Sequence, residues 1–168
     1  MRIEMDQFEL KATLSVSDAG EIVGNAWPFG SADSTGDIIT KGAFGSILPD
    51  LPILYQHNPA DLIGTWNEVG ETSEGLIVKG QLHLDLPRAR TVRTMLRSGL
   101  ISGLSIGFRT KSSTKRGRNR VIAALDLAEI SLVRDPAHPR ARILSAKSEN
   151  TAFAVAEIIN RATAALKL

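Results

Sequence analysis

Most of the chain alternates between apolar and polar positions over short runs, the period of a half-buried strand. FELKATLSV alternates loosely, and EIVGNAWPFG is a second strand candidate broken by Gly24. SADSTGDIIT is a polar turn that leads into Ile38 and Ile39. LPILYQH reads as a strand that ends in the polar loop HNPADLIG. GLIVKGQLHLDL alternates well, with Leu76, Val78, Leu82, Leu84 and Leu86 on one face around Gly80. SGLISGLSIGF is apolar enough for a buried strand, although three glycines interrupt it, which weakens a strand unless something uses the space. VIAALDLAEISLVRDP returns to a strand or strand pair.

Helical spacing is rarer. GAFGSILPD predicts a short helix with Phe44, Ile47 and Leu48 on one face, stopped by Pro49. Pro87 suits a first helical turn, Ala89, Val92, Met95 and Leu96 recur at helical spacing, and Gly99 suits the position just past the end. The last segment, SENTAFAVAEIINRATAALKL, predicts a helix capped by Asn150, with a stripe of Phe153, Ile158, Ile159, Ala162 and Leu166. A parallel sheet needs regular strand–helix alternation, which is missing. The pattern therefore predicts a mainly β (α+β) chain, an antiparallel barrel or sandwich with a few helices. It divides into residues 1–145 and a C-terminal helix over 146–168.

Composition narrows the chemistry. The 168 residues suit one domain, with 43% apolar and 23% charged residues. Lys and Arg exceed Asp and Glu by two, too few to imply a nucleic-acid partner. The absence of cysteine removes disulfides, thiol nucleophiles and thiolate metal sites. The N-terminus lacks the apolar core of a signal peptide, and no apolar run approaches the roughly 20 residues that cross a bilayer. The expectation is a soluble intracellular chain with no membrane partner.

A nucleophile must then be Ser, Thr or Lys, and a general base is most often His. There are three histidines. His57 lies at a strand end beside a turn, where scaffolds present reactive groups; an ordinary polar loop histidine fits equally. His83 falls mid-strand on a solvent-facing side, and His138 lies in a loop between two prolines. The histidines are too dispersed for a metal site. In a strand, Ser105 shares a face with Gly103 and Gly107, so a groove for a substrate backbone would open beside its hydroxyl; a strand kink with a small polar residue fits as well. Glu129 sits in an apolar strand and shares a face with Leu127, Ser131 and Val133. A carboxylate there needs a partner if buried, and an imidazole would serve, whereas an exposed strand face needs none. The run Lys111 to Arg120 lacks aromatics for base stacking and reads as a solvated hairpin loop.

Taken together, GDIITKGAF, LPILYQHNPADLIGTW, GLIVKGQL, GLISGLSIGF and LAEISLVRDPAHPRARI, in that order between Gly24 and Ile143, resemble the prohead (capsid-maturation) serine proteases of tailed bacteriophages. That family is related in fold to the herpesvirus assemblins. The resemblance implies an assemblin-like antiparallel β-barrel surrounded by a few helices. It implies a serine endopeptidase with Ser105 as nucleophile and His57 as general base. Glu129 stands where the herpesvirus enzymes use a second histidine, and so implies the residue that orients His57. A backbone N–H between Arg134 and His138 is the implied oxyanion donor; Arg134, Arg140 and Arg142 lie nearby without a clear match. No metal or organic cofactor is implied. The implied substrate is capsid or scaffold protein, cleaved inside the immature shell in the host cytoplasm, with self-cleavage. A homo-oligomer, dimer or higher, is implied, and no specific nucleic acid. The competing readings are a non-enzymatic assembly module of the same fold and a nucleic-acid-binding barrel using Lys111 to Arg120.

Overall fold

The computed structural model describes residues 16–143. The predicted strand FELKATLSV, apart from Val16, and the predicted C-terminal helix lie outside them. The elements run β1 Glu21–Pro28, β2 Asp37–Ile39, β3 Leu51–Tyr55, β4 Asn58–Glu71, β5 Gly75–Leu82, helix α1 Pro87–Arg97, β6 Gly103–Arg116, β7 Asn119–Val133 and β8 Arg142–Ile143. The strands form one sheet in the order β2-β7-β3-β4-β5-β1-β8-β6, and the additional pairing of β6 with β7 closes it into a barrel. β2 stays outside the ring, against the far half of β7.

Most neighbours are antiparallel, as the lack of regular strand–helix alternation predicted. Two pairings are not: β3 and β2 both run parallel to β7. The parallel seam follows from parity: seven strands close the ring, and six antiparallel junctions leave β3 and β7, at the seventh, pointing the same way. The β3–β4 hairpin and the β6–β7 hairpin are each antiparallel within themselves, and the ring closes by laying one beside the other. The interior is filled by Ile22, Ile53, Ile63, Trp66, Leu76, Leu82, Leu104 and Ile130, all essentially inaccessible. Removing such side chains from water, at about 1.5–3 kcal/mol each, is the main force closing the ring. The Trp66 indole N–H donates to the Ile130 carbonyl across the core. α1 begins at Pro87, ends before Gly99 in a left-handed conformation, and buries Ala89, Val92 and Leu96, matching its predicted stripe.

Four local expectations are corrected. GAFGSILPD is a series of turns rather than a helix: Gly42 and Gly45 adopt φ of 93° and 55°, which no right-handed helix accommodates. Phe44 is buried while Leu48 is 70% exposed, so they share no face. HNPADLIG belongs mostly to β4, because the chain reverses over two residues rather than in a loop. Its proline is tolerated because the ladder skips from Tyr55↔Asn58 to Leu54↔Leu62, leaving a bulge at residues 59–61. β5 ends at Leu82, so His83 lies beyond the strand, half-buried, with its ring against the Thr65 hydroxyl at 3.1 Å. The basic run is hydrogen-bonded ladder nearly throughout. β6 and β7 continue through it and turn over Gly117 and Arg118, with Gly117 at φ 62°, the glycine-first pattern of a type II′ turn.

Candidate active site

Three segments distant in sequence meet where β3 runs alongside β7. Gln56 and His57 are the two central residues of the β3–β4 turn, and both have positive φ, 53° and 60°. That is the type I′ geometry that Asn-Gly satisfies cheaply. For Gln and His it costs on the order of 1–2 kcal/mol each, strain of the kind held at functional sites. Contacts from β7 offset it. The Gln56 N–H donates to the Leu132 carbonyl at 3.0 Å, and the His57 N–H donates to Ser131 Oγ at 3.2 Å. Both follow from the parallel register, which sets Leu54 beside Ser131 and Tyr55 beside Leu132. On the other side of the turn, Asp61 in the bulge pairs with Arg88 of α1, whose guanidinium lies over the Tyr55 ring at 5.4 Å.

Glu129 projects from β7 opposite Gly107 of β6. Its carboxyl group lies directly over that glycine: a Cβ at residue 107 would come 2.4 Å from Oε1. Oε1 accepts from His57 Nδ1 at 2.5 Å, and Oε2 accepts from the Ser131 hydroxyl at 2.6 Å. A carboxylate only accepts, so Nδ1 carries the imidazole proton and Nε2 is left as the acceptor of the neutral ring. The Glu129 side chain is 14% exposed and His57 43%, so the pair sits at the rim of the barrel. The hydrogen bond to Glu129 raises the His57 pKa above its ordinary value; the Glu129 charge adds to this, and partial burial opposes it.

Ser105 is buried in β6, between the core residues Leu104 and Ile106. It lies directly opposite Ser131 in the β6–β7 ladder, so the two hydroxyl-bearing side chains share a face. The structure thus joins His57 to Glu129 by a hydrogen bond and sets Ser105 one cross-strand step from the hydroxyl that touches both. His57 and Ser105 are not hydrogen-bonded to each other: the ring's bond is to Glu129. The open groove expected around Ser105 is corrected. The space over Gly107 is taken by Glu129, and that over Gly103 by the Pro136 ring, whose Cδ would lie 2.7 Å from a Cβ there. Both glycines serve contacts within the chain.

Sequence reasoning missed Ser131. Its signal was present: a serine two residues after the candidate carboxylate, on the same strand face, in an otherwise apolar run. His138 is indeed in a loop, but it is 2% exposed and structural. Its ring packs edge-on against Trp27 at 4.9 Å, Nδ1 accepts from the Arg140 N–H at 3.2 Å, and Nε2 faces Ser31. Burial lowers its pKa, which keeps it neutral. Of the backbone donors between Arg134 and His138, that of Arg134 is engaged by Gln56 Oε1 at 3.4 Å. The basic hairpin is partly neutralised within the chain: Arg109 and Lys111 face Asp126, and Arg120 grips Asp37 with two bonds of 2.8 and 2.6 Å. Among the described residues no group of three or more His, Asp or Glu side chains is gathered as a metal site, and no helix is long and apolar enough to cross a membrane.

An imidazole whose Nδ1–H is held by a carboxylate, with a buried serine on the strand beside that carboxylate, has the parts used by serine hydrolases to take a proton from a hydroxyl. Comparison with known proteins narrows that class. The model of the Caudovirus prohead serine protease family matches residues 6–154. The chain is 29% identical to the prohead protease of Enterobacteria phage HK97 over 166 residues, 94% of this chain and 73% of that protein. It is 32% identical to the capsid polyprotein of Pseudomonas phage PAJU2 over 126 residues, 70% of this chain and 19% of that protein. The chain belongs to the Caudovirus prohead serine protease family, and it is a serine protease.

Proposed function

We propose that this protease cleaves capsid or scaffold protein segments inside the prohead, itself included, with Ser105, His57 and Glu129 as its triad. The observation that carries the assignment is the bond between His57 Nδ1 and Glu129, which fixes the tautomer and leaves Nε2 as base. In the acylation step Ser105 Oγ bonds to the scissile carbonyl carbon as Nε2 takes its proton. The imidazolium then gives that proton to the departing amine as the C–N bond breaks. Water, activated by the same Nε2, attacks the acyl-enzyme, releases the acid and restores the serine hydroxyl. Glu129 holds the ring and stabilises the imidazolium at each stage. The Ser–His contact is one that tightens when substrate binds. The match to a chain named capsid polyprotein, of which it covers 19%, supports the substrate class.

The same reading takes residues 1–145 as the protease unit, with an assemblin-like barrel, acting as a homo-oligomer in the host cytoplasm and within the prohead; the closed barrel with the serine on a strand and the histidine on a hairpin turn supports the kinship. Ser105→Ala should abolish cleavage of coexpressed capsid protein, and labelling by a fluorophosphonate, while leaving the circular dichroism spectrum unchanged. Undiminished processing would sink the assignment.

A further inference from the structure

Ser131 is completely buried in β7. A hydroxyl in such a place needs partners, most often backbone groups or water. Instead it spends its proton on Glu129 Oε2 at 2.6 Å and its lone pair on the His57 N–H at 3.2 Å. With the Glu129–His57 bond, these contacts close a ring that runs from the His57 backbone through Ser131 and Glu129 to the His57 imidazole. Each link restrains a different freedom. The terminal torsion of a glutamate is broad and roughly two-fold, so one bond to His57 leaves the carboxylate plane free to turn. The second oxygen, held by Ser131, fixes that plane. The bond to the His57 N–H fixes the turn that carries the ring.

We infer that Ser131 is a positioning residue, which sets the Glu129 carboxylate and the His57 turn so that Nε2 faces Ser105. The inference rests on the triad proposed above. Ser131→Ala removes both bonds and adds no bulk. It should lower kcat by about tenfold or more, as expected for losing a hydrogen bond to a charged group, with KM little changed. Ser131→Thr, which keeps the hydroxyl, should retain most of the activity.

The decisive measurement is a double-mutant cycle on the purified full chain, with peptide cleavage or the rate of fluorophosphonate labelling as readout. Because one of its two bonds acts through Glu129, Ser131→Ala should cost clearly less in the Glu129→Gln background than in the wild-type chain, the remainder being the lost bond to the His57 N–H. The same tenfold loss in both backgrounds, or wild-type turnover in Ser131→Ala, overturns the positioning role. Should Ser131→Ala prove unstable, Ser131→Cys, nearly isosteric but only a weak donor and acceptor, runs through the same cycle, and a loss as large in the Glu129→Gln background as in the wild-type chain overturns the role too. If Glu129→Gln alone leaves turnover unchanged, the triad itself is what fails.

Discussion

The contact between Glu129 and Gly107 makes a sharp prediction. In Gly107→Ala the new Cβ would lie 2.4 Å from Oε1 and 3.0 Å from Cδ and Cγ of Glu129, where ordinary contact begins at 3.4 Å. The backbone at 107 lies in a strand and does not need a left-handed conformation, so the methyl itself is unstrained. Relief comes from the flexible end of the glutamate, which must shift by about 1 Å. That stretches bonds of 2.5 and 2.6 Å to roughly 3.5 Å, beyond useful hydrogen bonding. The displaced carboxylate regains water at the rim, so the fold should lose only about 1 kcal/mol, a fall in Tm of about 2–4 °C. The chemistry should lose far more. A misplacement of about 1 Å in a catalytic array costs roughly 100-fold, and loss of the group orienting the histidine costs up to about 10⁴-fold. The expected result is a fall in kcat/KM of about 10²–10³-fold. Turnover needs neutral His57, whose pKa is held up by Glu129. The acid limb of the pH–rate profile should therefore move to lower pH. The assay is peptide cleavage across pH 5–9, run beside a thermal melt. Turnover within threefold of wild type, on an unmoved limb, would show that the carboxylate is not what positions the base.

Two further predictions use the same neighbourhood. Gly103→Ala should do the reverse of Gly107→Ala, because its Cβ meets the Pro136 ring at 2.7 Å and the Val133 carbonyl at 3.0 Å, neither of which yields cheaply. It should cost about 1–3 kcal/mol of stability, read by urea denaturation, with kcat per folded molecule less affected than in Gly107→Ala. The raised His57 pKa also has a stability consequence of definite sign: the protonated form gains most from Glu129, so the contribution is complete below the ordinary pKa of 6.5 and fades as pH rises through the raised value. Glu129→Gln should therefore destabilise the fold more at pH 6 than at pH 8.5 in parallel melts, and an equal difference at both would contradict the ion pair.

The outline of the barrel was legible because alternation is a local property. β1, β5 and α1 lie where Ile22, Leu76 and the Ala89–Val92–Leu96 stripe put them. What stayed hidden depended on partners. Periodicity says which face of β7 is buried but not that β3 runs parallel to it. Phe44, Ile47 and Leu48 stand at helical spacing, yet the positive φ of Gly42 and Gly45 overrides that pattern. At the site, motif resemblance picked out His57, Ser105 and Glu129. It could not distinguish a glycine that opens a groove from one that makes room for a carboxylate, since that depends on the residue across the strand. Ser131 went unread because a serine in a strand announces nothing until its two partners are known.

The parallel seam between β3 and β7 also makes the site depend on a long-range pairing. The bond between His57 and Glu129 spans 72 residues of sequence, and neither hairpin alone contains both groups. Pairings of such high sequence separation form late, after the local hairpins have already closed. On the proposed triad, a freshly made chain would have its nucleophile and its base before they could cooperate, and would gain the power to cut only when the two hairpins join. The reactive site is thus a product of the whole barrel, and no fragment holding one hairpin would cut.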